Sequence, residues 1–372
     1  MADKTLKCKE CGTDFIFTEN EQAFFKEKGF ENEPQRCADC RTAKKQQSGN
    51  DRVMKSFGID FNWDGRPPAA PGVFAKADAK KIVDWYADLG VNNFWTLLTT
   101  VNGYAWYPSK LAPVNPGLET NFMKDSTDLG HRKGLEVFGY VCLGQNTRRE
   151  AEKPEEARPY KDNYIHMVFT DEYLEFLCAV IKEGLNAADI DGIVIDWFRN
   201  PNVKRPFWLD SEKKLYKKLT GENFPESGDP GEAETIEFDR KLLESAWINI
   251  KGTVDSTRKV RIWTNQPFDK TNDPIWNGHI LMKEADYLLN EGPDMSLLDW
   301  IGSQAGPNTT IVQNICGWPT HDSEMWKSID THKYGLFGFA PADVDTCLPS
   351  IRVSEKSFRN IEIVKEAYKS IF

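Results

Sequence analysis

Asp191-Gly192-Ile193-Val194-Ile195-Asp196-Trp197-Phe198-Arg199 is a short apolar run, rich in β-branched residues, that ends on a carboxylate, a tryptophan and an arginine. A run of this length without polar alternation reads as a strand buried on both faces, as in parallel sheets covered by helices. Seven more runs of this kind flank it. The eight lie at 56–64, 93–100, 135–143, 190–198, 260–266, 285–291, 309–315 and 334–339. Amphipathic stretches, among them 75–89, 172–186, 233–251 and 322–330, separate them. Strands alternating with helices mean βαβ units and parallel pairing. Eight such units predict an α/β chain closed into a (β/α)8, or TIM, barrel over residues 53–372. The competing open doubly wound sheet lacks a Gly-rich fingerprint after its first strand.

The polar residues that close these strands are the candidates for chemistry, because a barrel of this kind keeps its active site at the carboxyl ends of its strands. They include Asn62 and Asp64 after the first run, Tyr104 and Trp106 after the second, and Gln145 after the third. Asp196, Trp197 and Arg199 close the fourth, Asn265 the fifth and Glu291 the sixth, with Gln313 and Trp318 at the seventh. Amides hydrogen-bond hydroxyl groups in both directions, and aromatic rings cover the apolar face of a sugar. Two carboxylates at one mouth fit glycosidic bond cleavage, one attacking or orienting water and the other protonating the leaving oxygen. Asp196, short and rigidly held, suits the nucleophile. Glu291, one methylene longer, suits the acid/base. The competing structural reading makes Asp196 the partner of Arg199 in an ion pair and Glu291 a solvated loop residue. Asp60, alternating with apolar residues inside the first run, faces either the barrel core or the site. Residues 145–170 and 199–232, polar and Pro-rich, are expected as loops on the catalytic face.

The chain has 372 residues, enough for a barrel and an appendage, and its hydrophobic content of 40% fills a large core. Its net charge of −10 disfavours binding to nucleic acid or anionic lipid and fits an enzyme of neutral, carbohydrate substrates. No run is long enough to span a membrane. The start, Met1-Ala2-Asp3-Lys4-Thr5, has no apolar signal-peptide core, so a cytoplasmic location is expected. His-Glu-x-x-His, Walker A and Gly-x-Ser-x-Gly motifs are all missing, which argues against a zinc hydrolase, a P-loop enzyme and a serine hydrolase.

The first 45 residues form a separate module. Cys8/Cys11 and Cys37/Cys40 make two Cys-x-x-Cys knuckles, the spacing of a zinc ribbon in which four thiolates hold one structural Zn. A redox dithiol pair and a disulfide framework are the alternatives. The first fifty residues carry nine basic and nine acidic side chains, so this module lacks a nucleic-acid-binding footprint. Its frame, with the trailing Cys40-Arg41, resembles a small zinc-ribbon family of unassigned function.

The segment Leu97-Leu98-Thr99-Thr100-Val101-Asn102-Gly103-Tyr104-Ala105-Trp106-Tyr107-Pro108-Ser109-Lys110 resembles the second-strand region of the family 29 glycoside hydrolases, the α-L-fucosidases. Asp128, Gly134-Leu135 and Phe138-Gly139-Tyr140 continue the likeness. Asp191-Gly192-Ile193-Val194-Ile195-Asp196 is similar to that family's fourth strand, whose final Asp is the nucleophile. The likeness spans roughly residues 56–200. It implies a retaining, exo-acting glycosidase in which Asp196 attacks. The family's His-His-Asp-Gly-Phe segment, whose imidazoles hold fucose, is replaced here by Thr100-Val101-Asn102-Gly103-Tyr104, so the resemblance does not extend to the fucose pocket. A fourth-strand Asp with a sixth-strand carboxylate also resembles the α-galactosidase clan. The alternatives to an enzyme are a non-catalytic carbohydrate-binding barrel and a scaffold or regulator that docks through its zinc ribbon. The sugar, its linkage and the oligomeric state are not legible.

Overall fold

The apolar runs pair with their neighbours in chain order, and the last pairs with the first. The computed structural model describes residues 2–27, 33–37, 40, 53–64, 68–159, 165–198, 207–266, 268, 272–317, 324–349 and 355–370. It divides into two units, Met1–Val53 and Met54–Phe372.

In the first unit, β1 (Lys4–Lys7) and β2 (Asp14–Phe17) form an antiparallel hairpin, followed by α1 (Glu19–Glu27). A reciprocal cap starts the helix. Glu21 accepts from the Thr18 backbone N–H at 3.0 Å, and the Thr18 hydroxyl accepts from the Glu21 N–H at 3.3 Å. Phe17 and Phe25 pack edge to face, 5.1 Å between centroids. This is a very small core.

In the second unit, eight strands close a parallel barrel. They are β3 (Lys55–Asp60), β4 (Asn93–Thr99), β5 (Glu136–Cys142), β8 (Gly192–Asp196), β9 (Arg261–Gln266), β10 (Tyr287–Asn290), β11 (Thr310–Cys316) and β12 (Tyr334–Pro341). Every run expected from the sequence contributes its strand. β12 closes on β3 over six pairs, from Leu336↔Lys55 to Pro341↔Asp60.

Alternation along each strand sends one set of side chains into the barrel. That interior is aromatic. Trp95 stacks on Phe337 at 4.4 Å, meets Trp263 edge-on at 5.3 Å and lies 5.9 Å from the Tyr140 ring. Gly58 makes room for this layer, since a Cβ there would lie 2.8 Å from the Trp95 ring. The packed interior is a floor rather than a pore.

The outer helices bury one face against the strands. In α2 (Ala79–Leu89), Ile82, Val83, Tyr86 and Leu89 are buried, at the spacing that puts them on one side of a helix. The Asp78 side chain caps it by accepting from Lys81 N–H at 3.1 Å, and Gly90 ends it in the left-handed region. The other helices are α3 (Phe122–Arg132), α4 (Thr147–Glu152), α5 (Asp171–Ala187), α6 (Asp210–Thr220), α7 (Glu232–Thr257), α8 (Ile280–Glu284), α9 (Leu297–Gln304) and α10 (Glu355–Ser370). The Tyr368 hydroxyl of α10 donates to the Ser56 carbonyl at 2.7 Å, and Lys55 Nζ donates to the Tyr368 carbonyl at 2.8 Å. The last helix thus clasps the first barrel strand.

Two expectations need correction. The segments expected as loops at 145–170 and 199–232 carry regular structure. The first holds α4, a 3-10 turn at Pro154–Glu156 and a hairpin of β6 (Ala157–Pro159) with β7 (Ile165–Met167); the second holds α6. Buried ion pairs, Arg149–Glu156 at 2.7 Å and Arg158–Glu212, make this order affordable for polar sequences. The helix expected at 322–330 is, among the described residues, a single 3-10 turn at Met325–Ser328. Ile329 ends it in extended backbone, and a turn in which Lys333 and Tyr334 N–H donate to the Asp330 carbonyl leads into β12.

Tyr368→Phe is expected to lower stability by about 1 kcal/mol, the net worth of a hydrogen bond, and Trp263→Ala by about 3–5 kcal/mol through a core cavity. Chemical denaturation of both variants, followed by circular dichroism, checks the order and the sizes.

Candidate functional site

Asp196 is the last residue of β8, in register with Cys142 of β5 and Asn265 of β9. It faces the barrel interior, half-buried. Among the described residues, three donors converge on its carboxyl. The Tyr140 hydroxyl donates to Oδ2 at 2.6 Å, and Oδ1 accepts from Trp197 N–H at 2.8 Å and Asn265 Nδ2 at 3.0 Å. Hydrogen bonds to the charged form favour it, so this arrangement holds Asp196 as the carboxylate. Burial first, and the Asp196 charge second, push the Tyr140 phenol well above its usual range. Tyr140 therefore stays protonated and remains a donor.

Behind Tyr140 stands Asn62. Its Oδ1 accepts from Val101 N–H at 3.0 Å, which turns its Nδ2 toward the Tyr140 oxygen at 3.1 Å. With that lone pair taken, the phenol proton points at Asp196. Asp60, at the end of β3, accepts from the Asn62 N–H at 2.8 Å. Burial, then the charge of Asp196, push the Asp60 carboxyl up to about 7, against hydrogen bonds from Asn62 and Trp63 that lower it.

The backbone at Asp196 is unusual. Trp197 has φ 56°, in the left-handed region that bulky residues rarely enter. This turn brings the Trp197 N–H back onto the Asp196 carboxyl. It also lays the Trp197 carbonyl against Gly144, where a Cβ would lie 2.1 Å from that oxygen. Gly144 is thus required by close approach.

The other expected residues divide. Asn265 joins Asp196 directly, and Asn62 joins it through the Tyr140 hydroxyl. Glu291 follows β10 on the same rim, half-buried, and its carbonyl accepts from Asn314 Nδ2 at 3.1 Å. Asp64 is half-buried and accepts from Ala70 N–H at 3.0 Å. Tyr104 is half-buried in the turn after β4. Gln145 is fully buried, and neither atom of its amide has a hydrogen-bond partner among the described residues. Arg199 and Trp318 lie outside the described residues.

Trp106 and Gln313 are corrections. Trp106 is core, with its ring 5.2 Å from both Phe61 and Phe122. Gln313 is fully buried and out of phase with the inward set. Its amide is spent on Asn290 at 2.7 Å and on the carbonyls of Gly292 and Asn314 at 2.9 and 2.7 Å. A one-residue step along a strand reverses the face, so Asn314 rather than Gln313 takes the inward position. Tyr140 was missed as a site residue. The signal was its alternation with Phe138, two residues below Cys142, the register partner of Asp196.

In the first unit, the sulfurs of Cys8, Cys11, Cys37 and Cys40 all lie within 4.8 Å of one another. Cys11 and Cys37 are 3.8 Å apart, the edge of a tetrahedron with Zn–S bonds of ~2.3 Å. Hydrogen bonding to Cys11 and Cys37 pushes the Cys40 thiol up to about 12. Four crowded sulfurs do not all ionise without a cation, and zinc supplies that charge. The four cysteines are positioned to bind one zinc ion.

Comparison with known proteins follows the same division. Residues 2–49 match the family described as a probable treble clef domain, which refines the ribbon expected from the spacing. Residues 78–197 match the family described as hypothetical glycosyl hydrolase 6. No curated protein matches the chain. Among solved structures, the chain is similar to α-L-fucosidase isoenzyme 2 from Paenibacillus thiaminolyticus, at 14% identity and TM-score 0.62, over 86% of this chain and 49% of that one. It also aligns with a noncanonic maltogenic α-amylase, AmyB, from Thermotoga neapolitana, at 10% identity and TM-score 0.45, over 85% and 77% of the two chains. The α-fucosidase of Thermotoga maritima aligns at 11% identity and TM-score 0.44, over 79% and 56%. This chain spans about half the length of the Paenibacillus enzyme. The class defined is a glycoside hydrolase-like (β/α)8 barrel preceded by a treble-clef zinc domain. Among the described residues, no helix is long and apolar enough to cross a membrane.

Metal analysis of the purified chain is expected to give about one Zn per molecule, and Cys37→Ser to release it. A metal-free protein with an ordered first unit contradicts the assignment. Gly144→Ala is expected to cost about 1–3 kcal/mol by overpacking against the Trp197 carbonyl, read as a shift in the denaturation midpoint.

Proposed function

We propose that the barrel is a glycoside hydrolase that cleaves an exo-type bond with retention of configuration, using Asp196 as the nucleophile. The observation that carries this reading is the cradle around Asp196. Among the described residues, three neutral donors keep the carboxylate ionised and aimed. A rigid carboxylate at a barrel strand end is suited to attack a sugar's anomeric carbon from one face. The amide of Asn265 and the ring of Trp197 stand beside it, groups suited to a hydroxyl-rich ligand. The leaving oxygen needs a proton from a second carboxyl. Glu291 on the rim after β10 is the candidate read from the sequence. By resemblance the chemistry is of the α-L-fucosidase or α-galactosidase kind, with a sugar pocket that differs from the fucosidases', and the zinc domain is structural.

A panel of aryl glycosides tests the reading. Wild type is expected to turn over at least one member, and Asp196→Ala to lose that turnover while keeping its circular dichroism spectrum. Azide is expected to restore cleavage in Asp196→Ala and to yield a glycosyl azide of inverted configuration. A wild-type rate in Asp196→Ala, or no cleavage of any member by wild type, rules the reading out.

A further inference from the structure

Asp196 has a second carboxyl facing it, and it is not the one the sequence singles out. Asp60 and Asp196 are the final residues of β3 and β8. Both point inward and both are half-buried. In barrel order β4 and β5 lie between these strands, so both carboxyls enter the same mouth, close enough for the Asp196 charge to act on Asp60. The chain of contacts between them is continuous. Asp60 accepts from the Asn62 N–H, Asn62 Nδ2 donates to the Tyr140 hydroxyl, and Tyr140 donates to Asp196.

We propose that Asp60 is the acid/base of the reaction, protonating the leaving oxygen within the mouth that it shares with Asp196. This rests on the glycosidase reading above and deepens it.

The argument is one of unequal neighbours. Two carboxyls in a mouth floored by Trp95, Trp263 and Phe337 do not both ionise cheaply. Asp196 has three donors and takes the charge. Asp60 is left to hold the proton, up to about pH 7. Environments that drive two carboxyls apart in this way mark the acid and the nucleophile. The described groups that face Asp60 do not reverse this. β8 presents Asp196, and β5 presents Tyr140 with Cys142 above it. β4 presents Trp95 and Leu97, and β9 presents Asn265. Glu291 follows β10, and Asn314 lies two residues before the end of β11. On the β12 side, Asp343 is spent on its own turn, accepting from Asp345 N–H, Thr346 N–H and the Thr346 hydroxyl at 3.1 Å each. None of these groups is a cation.

The steps balance. The Asp60 carboxylic acid gives its proton to the glycosidic oxygen as the bond from that oxygen to the anomeric carbon breaks, its electron pair staying on oxygen. An Asp196 oxygen bonds the anomeric carbon, giving a glycosyl ester and a free alcohol. Formation of the ester removes the Asp196 charge, and with it the repulsion that kept Asp60 protonated. Asp60, now the carboxylate, takes a proton from water as that water attacks the anomeric carbon. The ester bond breaks, and both groups return to their starting states.

The test sets Asp60→Asn, Asp60→Ala and Glu291→Gln beside wild type on aryl glycosides of graded leaving-group ability. Asn keeps the Oδ1 acceptor for the Asn62 N–H, so that variant is expected to fold. Asp60→Asn is expected to lose about 10²–10⁴-fold in kcat/KM on poor leaving groups and far less on nitrophenolates, and to lose the alkaline limb that wild type shows near pH 7. Azide is expected to rescue Asp60→Ala and give a glycosyl azide of retained configuration, opposite to that from Asp196→Ala. Carbon-13 NMR of the aspartate carboxyls is expected to show Asp60 titrating near 7 in wild type and lower in Asp196→Asn. If Glu291→Gln carries the leaving-group dependence and Asp60→Asn behaves as wild type, Asp60 is not the acid, and the glycosidase reading stands. An Asp60 carboxyl that titrates near 4 also overturns it. A wild type inert on the whole panel overturns both readings.

Discussion

The pairing of β12 with β3 is the constraint on which this molecule depends. On its other side β3 is held to β4 by only two register pairs, Ser56↔Asn93 and Phe57↔Phe94, whereas β12 holds it by six. Without that seam β3 would be a weakly attached edge strand with open backbone groups. With it, Asp60 is carried into the same closed mouth as Asp196. The clasp from Tyr368 and Lys55 reinforces the same seam, at the start of β3. The end of the chain and the beginning of the barrel are therefore one structural unit.

Closure also sets the electrostatics. The eight strands enclose an aromatic interior, and the polar groups at its upper end sit over a medium of low dielectric constant. Hydrogen bonds there are strong, and unpaired charge is costly. Asp196 is charged because Tyr140, Trp197 and Asn265 satisfy it. Asp60 resists ionisation because burial and the Asp196 charge act together on it. The positive φ of Trp197 and the bare Cα of Gly144 belong to the same arrangement. They let a backbone N–H approach a carboxylate that side chains alone would leave one donor short.

The first unit obeys a different rule. Among its described residues it buries only Cys8, Phe17, Gln22 and Pro34, with Phe25 half-buried against Phe17. Four sulfurs gathered within bonding range of one metal replace the missing core. Metal ligation here is a folding interaction, separate from the chemistry of the barrel.

The sequence by itself determined the elements. Eight runs of β-branched and aromatic residues, spaced by amphipathic stretches, leave few alternatives to a parallel barrel, and two Cys-x-x-Cys knuckles leave few to a zinc site. These are local patterns, and local propensity and spacing encode them. It also placed Asp196, because a carboxylate ending a buried strand stands out against its apolar neighbours. What it did not settle is which polar residues share a face across strands. Gln313 and Asn314 are adjacent and chemically alike, and only the register with β10 and β12 turns Asn314 inward. Trp106 reads as a sugar platform until Phe61 and Phe122 close over it. The partnership of Asp60, Asn62, Tyr140 and Asp196 joins three strands far apart in the chain. Barrel closure brings them together, and a hydrogen bond between strands leaves no mark on either strand's own sequence.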